Sequence, residues 1–197
     1  MTTPALKQQT STESWPEQGQ WTFADWLHLP DDGFRYELVE GELFMSSPPS
    51  VEHQNAVSSL LAEMRRHARQ NKLGLVLTAP IGVRLSNSTT ILQPDILFVS
   101  ENQRAIIQKD LIDGAPDLIV EVLSPSNWMI DRGRKQEAYR RGGVREYWIV
   151  DCRARTIDVL VLDKGEYIQR GHYGEKDSAL SEVMRDFAIE VTEVFAL

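Results

Sequence analysis

The stretches LQPDILFV (residues 92–99) and DLIVEVLSPS (residues 117–126) decide the fold, because each is a short apolar run of the kind that forms a buried strand. The interior of the strand predicted over 117–124 is apolar on both faces except at Glu121, which is the pattern of a central strand covered on both sides. Each run nevertheless contains one carboxylate, Asp95 or Glu121. An unpaired charge in a protein core is costly, so both acids require partners and are candidate site residues.

The rest of the chain predicts more strands than helices. Its N-terminal part indicates a short helix over 21–30 capped by Thr22, a hairpin over 34–47 turning at Glu40-Gly41, and a helix over about 51–71 capped by Ser50. Further strands are predicted at about 74–79, 82–85, 91–99 and 145–151, and a loop at SPSNWM (124–129). A helix is predicted over 131–141, closed by Gly142-Gly143. A hairpin over 156–173 and a final short strand with a helical turn complete the chain.

These elements predict an α/β or α+β fold in which a mixed β-sheet, with an N-terminal and a C-terminal hairpin, is flanked by helices. Residues 1–20 are rich in Thr, Ser and Gln and are expected to form a loose arm. Residues 21–197 show no internal repeat and are expected to form a single domain.

Composition indicates a soluble cytoplasmic protein. The 197 residues are 42% apolar and 25% charged, with no run long enough to span a bilayer and no secretory signal at the N-terminus. Cys152 is the only cysteine, so an intramolecular disulfide and a cysteine-based metal cluster are both excluded. The net charge of −8 counts against a protein that coats nucleic acid, so binding to nucleic acid would need a local basic face or bound cations.

Asp95 and Glu121 can converge on one point if their strands are neighbours, since adjacent strands lie about 4.8 Å apart. Two carboxylates at that distance repel unless a cation lies between them, and oxygen ligands suit Mg²⁺ or Mn²⁺. Each acid also has a simpler explanation. Asp95 follows Pro94 and could cap a strand, and Glu121 could form a salt bridge with an Arg or Lys of a helix.

Three further residues can join these acids. Glu37 lies in the strand YELV, and His53 shares the inward face of the 51–71 helix with Val57. Lys135 lies on the helix that follows the Glu121 strand, with Tyr139 one turn later on the same face. The alternatives are a hydrogen-bonded core histidine for His53, a solvated surface charge for Lys135, and a packing role for Tyr139.

The ordered set of motifs resembles a known group. QPD at 93–95 followed by VEVLSPS at 120–126 is similar to the PD-(D/E)XK nuclease superfamily. More narrowly, YELVEGELFM with the following SPPS and His53, then PD, APDLIVEVLSPS, Lys135, Tyr139 and GGVREYWIVD resemble the Uma-type family of restriction endonucleases over about residues 22–197.

The resemblance implies a restriction-endonuclease-like fold and a metal-dependent DNA endonuclease. Asp95, Glu121 and Glu37 would be its metal-binding acids with Mg²⁺ or Mn²⁺, and Lys135 and His53 would complete the catalytic set. The superfamily lysine lies two residues after the acid, where this chain has Leu123, so Lys135 would be a lysine that has moved to the next helix.

The expected partner is DNA, which the basic residues of 131–146 or the end of the 51–71 helix could contact, and the expected assembly is a homo-oligomer, most simply a homodimer. The alternative function is a catalytically inactive nuclease-fold module for binding or dimerisation.

Overall fold

The computed structural model describes residues 15–46, 48–85, 89–124 and 131–196. Its strands are β1 (Arg35–Val39), β2 (Glu42–Ser46), β3 (Gly74–Thr78), β4 (Gly82–Arg84), β5 (Ile91–Leu92), β6 (Ile96–Ser100), β7 (Leu111–Asp113), β8 (Leu118–Val122), β9 (Glu146–Asp151), β10 (Thr156–Asp163), β11 (Glu166–Tyr173), β12 (Ser178–Leu180) and β13 (Ala188–Glu190). Its helices are α1 (Phe23–Trp26), α2 (Val51–Gln70), α3 (Gln136–Gly142) and α4 (Val191–Phe195), with a 3-10 helix at Glu101–Ile106 and a π-helical turn at Asp131–Lys135. No helix in these ranges has the length and apolar character needed to cross a bilayer.

The strands form two larger sheets and a small pair. The six-stranded sheet has the order β11-β10-β9-β8-β6-β3, in which β8 and β9 are parallel and the other neighbours antiparallel. The five-stranded sheet has the order β2-β1-β5-β4-β7, and β12 pairs with β13. The expected fold class, with mixed sheets, flanking helices and a hairpin near each end, is confirmed.

Strand β8 lies in the middle of the six-stranded sheet and is buried along its whole length, as its sequence predicts. Side chains alternate along a strand, so Leu118, Val120 and Val122 pack in the same core cluster as the apolar face of α2. Ile119 belongs to the cluster on the opposite face, and Glu121 points to that same face. The acid is therefore carried by the face that does not contact α2.

The strand predicted over 91–99 is interrupted, and the interruption connects the two larger sheets. Ile91 and Leu92 pair in the five-stranded sheet as β5, whereas the chain from Ile96 onward pairs with β3 and β8 as β6. Between them, Pro94 has no N–H to donate to a ladder, which is why neither sheet continues through it. Asp95 is thereby placed immediately before β6. The condition on which Asp95 and Glu121 could converge is met, because β6, which follows Asp95, pairs with β8.

Helix α2 begins and packs as its sequence predicts. The Ser50 hydroxyl accepts a hydrogen bond from the backbone N–H of His53 at 3.2 Å, which caps the helix. The buried residues of its apolar stripe are His53, Ala56, Val57, Leu60, Met64 and Ala68. Leu61, which was expected in this stripe, is only partly buried at its edge.

The N-terminal hairpin turns at Glu40-Gly41, and both residues have the positive φ of a tight turn (52° and 81°). Residues 1–14 of the expected loose arm lie outside the described residues. The next residues contact the hairpin region, since Gly19 donates its N–H to the Gly41 carbonyl at 2.9 Å and Trp15 stacks on Trp21. The predicted loop SPSNWM lies outside the described residues except for Ser124.

Glu146, at the start of β9, is a buried acid held by fixed donors. One carboxylate oxygen accepts the Trp148 indole N–H at 2.6 Å, and the other accepts the backbone N–H groups of Glu182 and Val183 at 2.7 and 2.9 Å. Burial raises the pKa of Glu146, and these hydrogen bonds oppose that rise. The carboxylate therefore ties the segment between β12 and β13 to the six-stranded sheet.

Replacing Glu146 by Ala should lower the free energy of unfolding by about 3 kcal/mol, because it leaves the buried Trp148 N–H and two partly buried backbone N–H groups without an acceptor. Urea denaturation followed by circular dichroism measures this loss. Glu166→Ala is the control, since the Glu166 side chain is 76% exposed and its loss should change stability little. Equal effects of the two substitutions would contradict a structural role for Glu146.

Candidate active site

The structure brings the predicted site residues together at one cleft of about 1290 Å³. The cleft is lined by the segment between α1 and β1, the first turns of α2, the end of β8 and residues 152–153. His53, Asp95, Glu121 and Lys135 line it, and Glu37 lies beside it in contact with Lys135. All five of these residues are buried.

Asp95 is fixed by donors on both of its oxygens. Oδ1 accepts from Arg35 Nη1 at 2.9 Å, and Oδ2 accepts from the backbone N–H of Val122 at 2.9 Å and lies 3.1 Å from His53 Nε2. Burial alone would raise the pKa of Asp95, but the hydrogen bond from His53 and the charge of Arg35 lower it to about 2. Asp95 is therefore ionised and held in one orientation. His53 is a hydrogen-bonded histidine of the core, the simpler of the roles expected for it.

Lys135 forms salt bridges with the other two acids of the cluster, Glu37 and Glu121. Its Nζ lies 2.8 Å from Glu37 Oε2 and 3.2 Å from Glu121 Oε1, and the residue is 4% exposed. The salt bridge considered for Glu121 is thus present, and the helix lysine that provides it is Lys135 itself. The alternative of a solvated surface charge for Lys135 is wrong.

Tyr139 lies one turn after Lys135 and has two functions. Its ring packs against Tyr147 with the centroids 5.3 Å apart, which is the packing role expected from the sequence. Its hydroxyl also donates to Glu121 Oε1 at 2.7 Å. Burial and the charges of Glu121 and Glu37 raise the pKa of Tyr139 well above its ordinary value, so the hydroxyl keeps its proton and remains a donor.

The position of Lys135 results from an irregular helix start. The helix predicted over 131–141 consists of the π-helical turn followed by α3, which is capped at its C-terminus by Gly143 with a φ of 87°. A π-helical turn is rare and often marks a functional site. It precedes the regular helix at the point where the lysine must reach the acids.

Glu37 connects the N-terminal hairpin to the strand crossover. Its Oε1 accepts the backbone N–H of Gln93 at 2.7 Å, while its Oε2 faces Lys135. The side-chain amide of Gln93 donates to the Tyr36 carbonyl at 3.3 Å. Because of these bonds, β1 holds the segment that carries Asp95, and the three acids share one rigid frame.

The donor chemistry of the cleft fits a divalent cation. Glu37, Asp95 and Glu121 contribute three carboxylates against the two permanent cations Arg35 and Lys135, which leaves negative charge in excess. Across the described ranges, no group of three or more His, Cys, Asp or Glu side chains is placed to enclose a metal ion. Mg²⁺ is commonly held by one or two carboxylates together with water and substrate phosphate. Asp95 and Glu121, on neighbouring strands, would be those two carboxylates.

The basic residues of 131–146 are largely engaged with acids of the same protein. Arg134 pairs with Glu42, Arg141 with Glu40, and Arg145 with Asp117 at 3.0 Å. Arg140 pairs with Glu137 in the same helix. The face expected to contact phosphate is therefore mostly neutralised internally.

Sequence reasoning missed Arg35. Its position two residues before Glu37 in the same strand places both side chains on one face, and this spacing was a signal that could have revealed it.

The described residues form a mixed α/β fold in which buried acids and a lysine lie at one cleft. The chain matches the family model Uma2, described as "Putative restriction endonuclease", over residues 23–192. It therefore belongs to the Uma2 family.

Solved structures agree on the fold. A protein from Anabaena variabilis ATCC 29413, described as a putative nuclease belonging to DUF820, is similar with a TM-score of 0.73 and 17% sequence identity. The similarity covers 88% of this chain and 97% of that one. No curated protein matches the chain.

Asp95→Asn should reduce stability in a pH-dependent way. Because the pKa of Asp95 is lowered from 3.8 to about 2 in the folded protein, its ionised form stabilises the fold above pH 4, and this contribution is lost as the pH falls towards 2. The variant should be less stable than the parent by about 2 kcal/mol at pH 6, and the difference should shrink towards pH 2. Urea unfolding of parent and variant between pH 6 and pH 2 measures this difference, and Asp110→Asn, at an exposed position, is the control. A difference that is the same at pH 6 and pH 2 would contradict the ion pairing described above.

Lys135→Met should destabilise the metal-free protein by about 3–5 kcal/mol, because two buried acids lose their shared cation. Adding Glu37→Gln should recover part of that loss, since one fewer negative charge is left unpaired. The measurement is thermal and urea unfolding in chelator. Lys109→Met, at an exposed position, provides the control. No loss in the single variant would show that the bridge is not a stabilising interaction.

Proposed function

We propose that this protein is a metal-dependent nuclease that hydrolyses phosphodiester bonds in DNA, with Asp95 and Glu121 holding Mg²⁺ or Mn²⁺ and Glu37 as the third acid of the site. The observation that supports it most strongly is the convergence of three acids and Lys135 on one cleft, in a chain that belongs to the Uma2 family. When bound, the cation would lower the pKa of a water molecule and polarise a phosphoryl oxygen.

Some residues of the site would orient the metal-binding acids, and others would supply positive charge. Arg35, His53 and the Val122 N–H orient Asp95, so its carboxylate is in place before substrate arrives. Lys135 keeps Glu37 and Glu121 from repelling each other and holds a positive charge beside the proposed metal site. Tyr139 donates to the same Glu121 oxygen that Lys135 contacts, which further fixes that carboxylate. Lys135 thus takes the role of the lysine that Leu123 cannot fill.

The second candidate is a catalytically inactive module that binds a partner or dimerises. One observation favours it: Glu37, Asp95 and Glu121 each accept from protein donors, so the cluster is internally satisfied without a metal ion. The excess of negative charge favours the first candidate.

The expected homodimer and cytoplasmic location stay predictions, and light scattering after gel filtration tests the former.

The decisive assay compares plasmid DNA, single-stranded DNA and RNA with Mg²⁺, with Mn²⁺ and with chelator. The parent should cleave DNA only with metal, and Glu121→Gln should lower the rate by at least about a hundredfold, since it removes a charged ligand while keeping the shape of the side chain. Mn²⁺ binding by calorimetry should weaken in the same variant.

Asp158→Asn is the matched control, because Asp158 is a mostly buried acid outside the cleft that pairs with His172. It should cleave at the parent rate. Metal binding without any cleavage would support the inactive module, and cleavage that survives Glu121→Gln would refute the proposed site.

A further inference from the structure

Arg35 is a cation of the cleft, and only one nitrogen of its guanidinium group makes hydrogen bonds within the described residues. Its Nη1 donates to Asp95 Oδ1 at 2.9 Å and to the Gln93 carbonyl at 3.2 Å. Among the residues that the structure describes, Nε and Nη2 have no hydrogen-bond partner. The side chain lines the cleft and is 25% exposed, so the residue is partly open to a ligand that enters the cleft.

The other cations near the acids are less suited to contact a ligand. The Lys135 ammonium is enclosed between two carboxylates, and its side chain is 5% exposed. Arg134 pairs with Glu42 and covers the ring of Phe44. Arg153 also lines the cleft but is exposed to solvent, where a charge contributes little to a defined contact.

The geometry of the guanidinium decides which ligand fits. Nη1 is occupied by Asp95, and the remaining Nε–Nη2 edge offers two parallel N–H groups, the arrangement that binds an oxyanion with two oxygens. A carboxylate and a phosphate both match this edge. In the same cleft the three acids repel anions, so an anion held there must bind through a strong local contact.

We propose that Arg35 binds a phosphate group of the nucleic-acid strand through its Nε–Nη2 edge while its Nη1 fixes Asp95. The identity of the phosphate carrier rests on the proposed function, whereas the anion site itself does not. One side chain thereby sets the distance between the phosphate and the carboxylate that would hold the metal. No other described residue links a ligand-accessible cation directly to Asp95.

Arg35→Lys separates the two functions of the residue. A lysine keeps the charge next to Asp95 but has no planar edge left for an oxyanion, so the fold should survive while anion binding is lost. The probes are inorganic phosphate and a short fluorescein-labelled single strand of DNA, both titrated without metal. The parent should bind each of them, and the variant should bind each at least about tenfold more weakly.

Two matched variants control for the loss of any arginine. Arg84 has a similar exposure, pairs with Asp113 and lies outside the cleft, so Arg84→Lys should leave both affinities within about twofold of the parent. Arg153→Gln tests the other exposed cation of the cleft and should have a smaller effect than Arg35→Lys. Circular dichroism and thermal unfolding establish that each variant is folded. If Arg35→Lys fails to fold, Arg35→Gln combined with Asp95→Asn removes the pair together, with Asp95→Asn alone as its reference.

The outcomes distinguish this proposal from the proposed function. A parent that binds neither probe, or an Arg35→Lys variant that binds both as the parent does, overturns the role of Arg35. A dominant loss in Arg153→Gln overturns it as well. Phosphate binding that depends on Arg35 in a protein that cleaves no nucleic acid would keep the anion site and reject the nuclease activity.

Discussion

The salt bridge of Lys135 with Glu37 and Glu121 is the interaction on which the rest of the site depends. Three charges are buried there, and their desolvation is affordable only because the ammonium lies within about hydrogen-bond distance of both carboxylates. The bridge also joins three parts of the chain: the N-terminal hairpin, the central strand β8 and the helical segment after it. Without this cation the acids could not remain together in the cleft.

The buried acids of this protein fall into two kinds according to the donors that satisfy them. Glu146 and Asp117 accept backbone N–H groups that the fold fixes in place. Glu121 accepts from the side chains of Lys135 and Tyr139, which can change rotamer. Asp95 and Glu37 combine both kinds of donor, since each accepts one backbone N–H and one side-chain cation. A metal ion could replace the side-chain cation at either acid while the backbone amide keeps the carboxylate in place.

Sequence predicted most of the fold because apolar pattern and turn chemistry are local signals. The burial of β8, the caps of α1 and α2 and both hairpins follow from residues within a few positions of each element. It could not predict that the 91–99 run divides between two sheets, since the pairing partners lie far away in the chain.

As with the fold, the sequence predicted one part of the site and not the other. Two local patterns identified Asp95 and Glu121 as acids in apolar runs, whereas the pairing of their strands and the burial of Lys135 required the tertiary structure. An isolated lysine on a helix is expected to be a surface charge. Arg35 was overlooked although its spacing from Glu37 in one strand was a local signal.

The cluster is assembled from residues that are about a hundred positions apart, from Arg35 to Lys135. During synthesis the acids of the hairpin and the strands leave the ribosome well before the lysine that neutralises them, and domains generally fold as units once their chain is available. A nascent chain therefore carries the carboxylates without their cation, and the cleft cannot form until the helical segment has emerged. The salt bridge of Lys135 is therefore the last part of the cluster to be completed during synthesis.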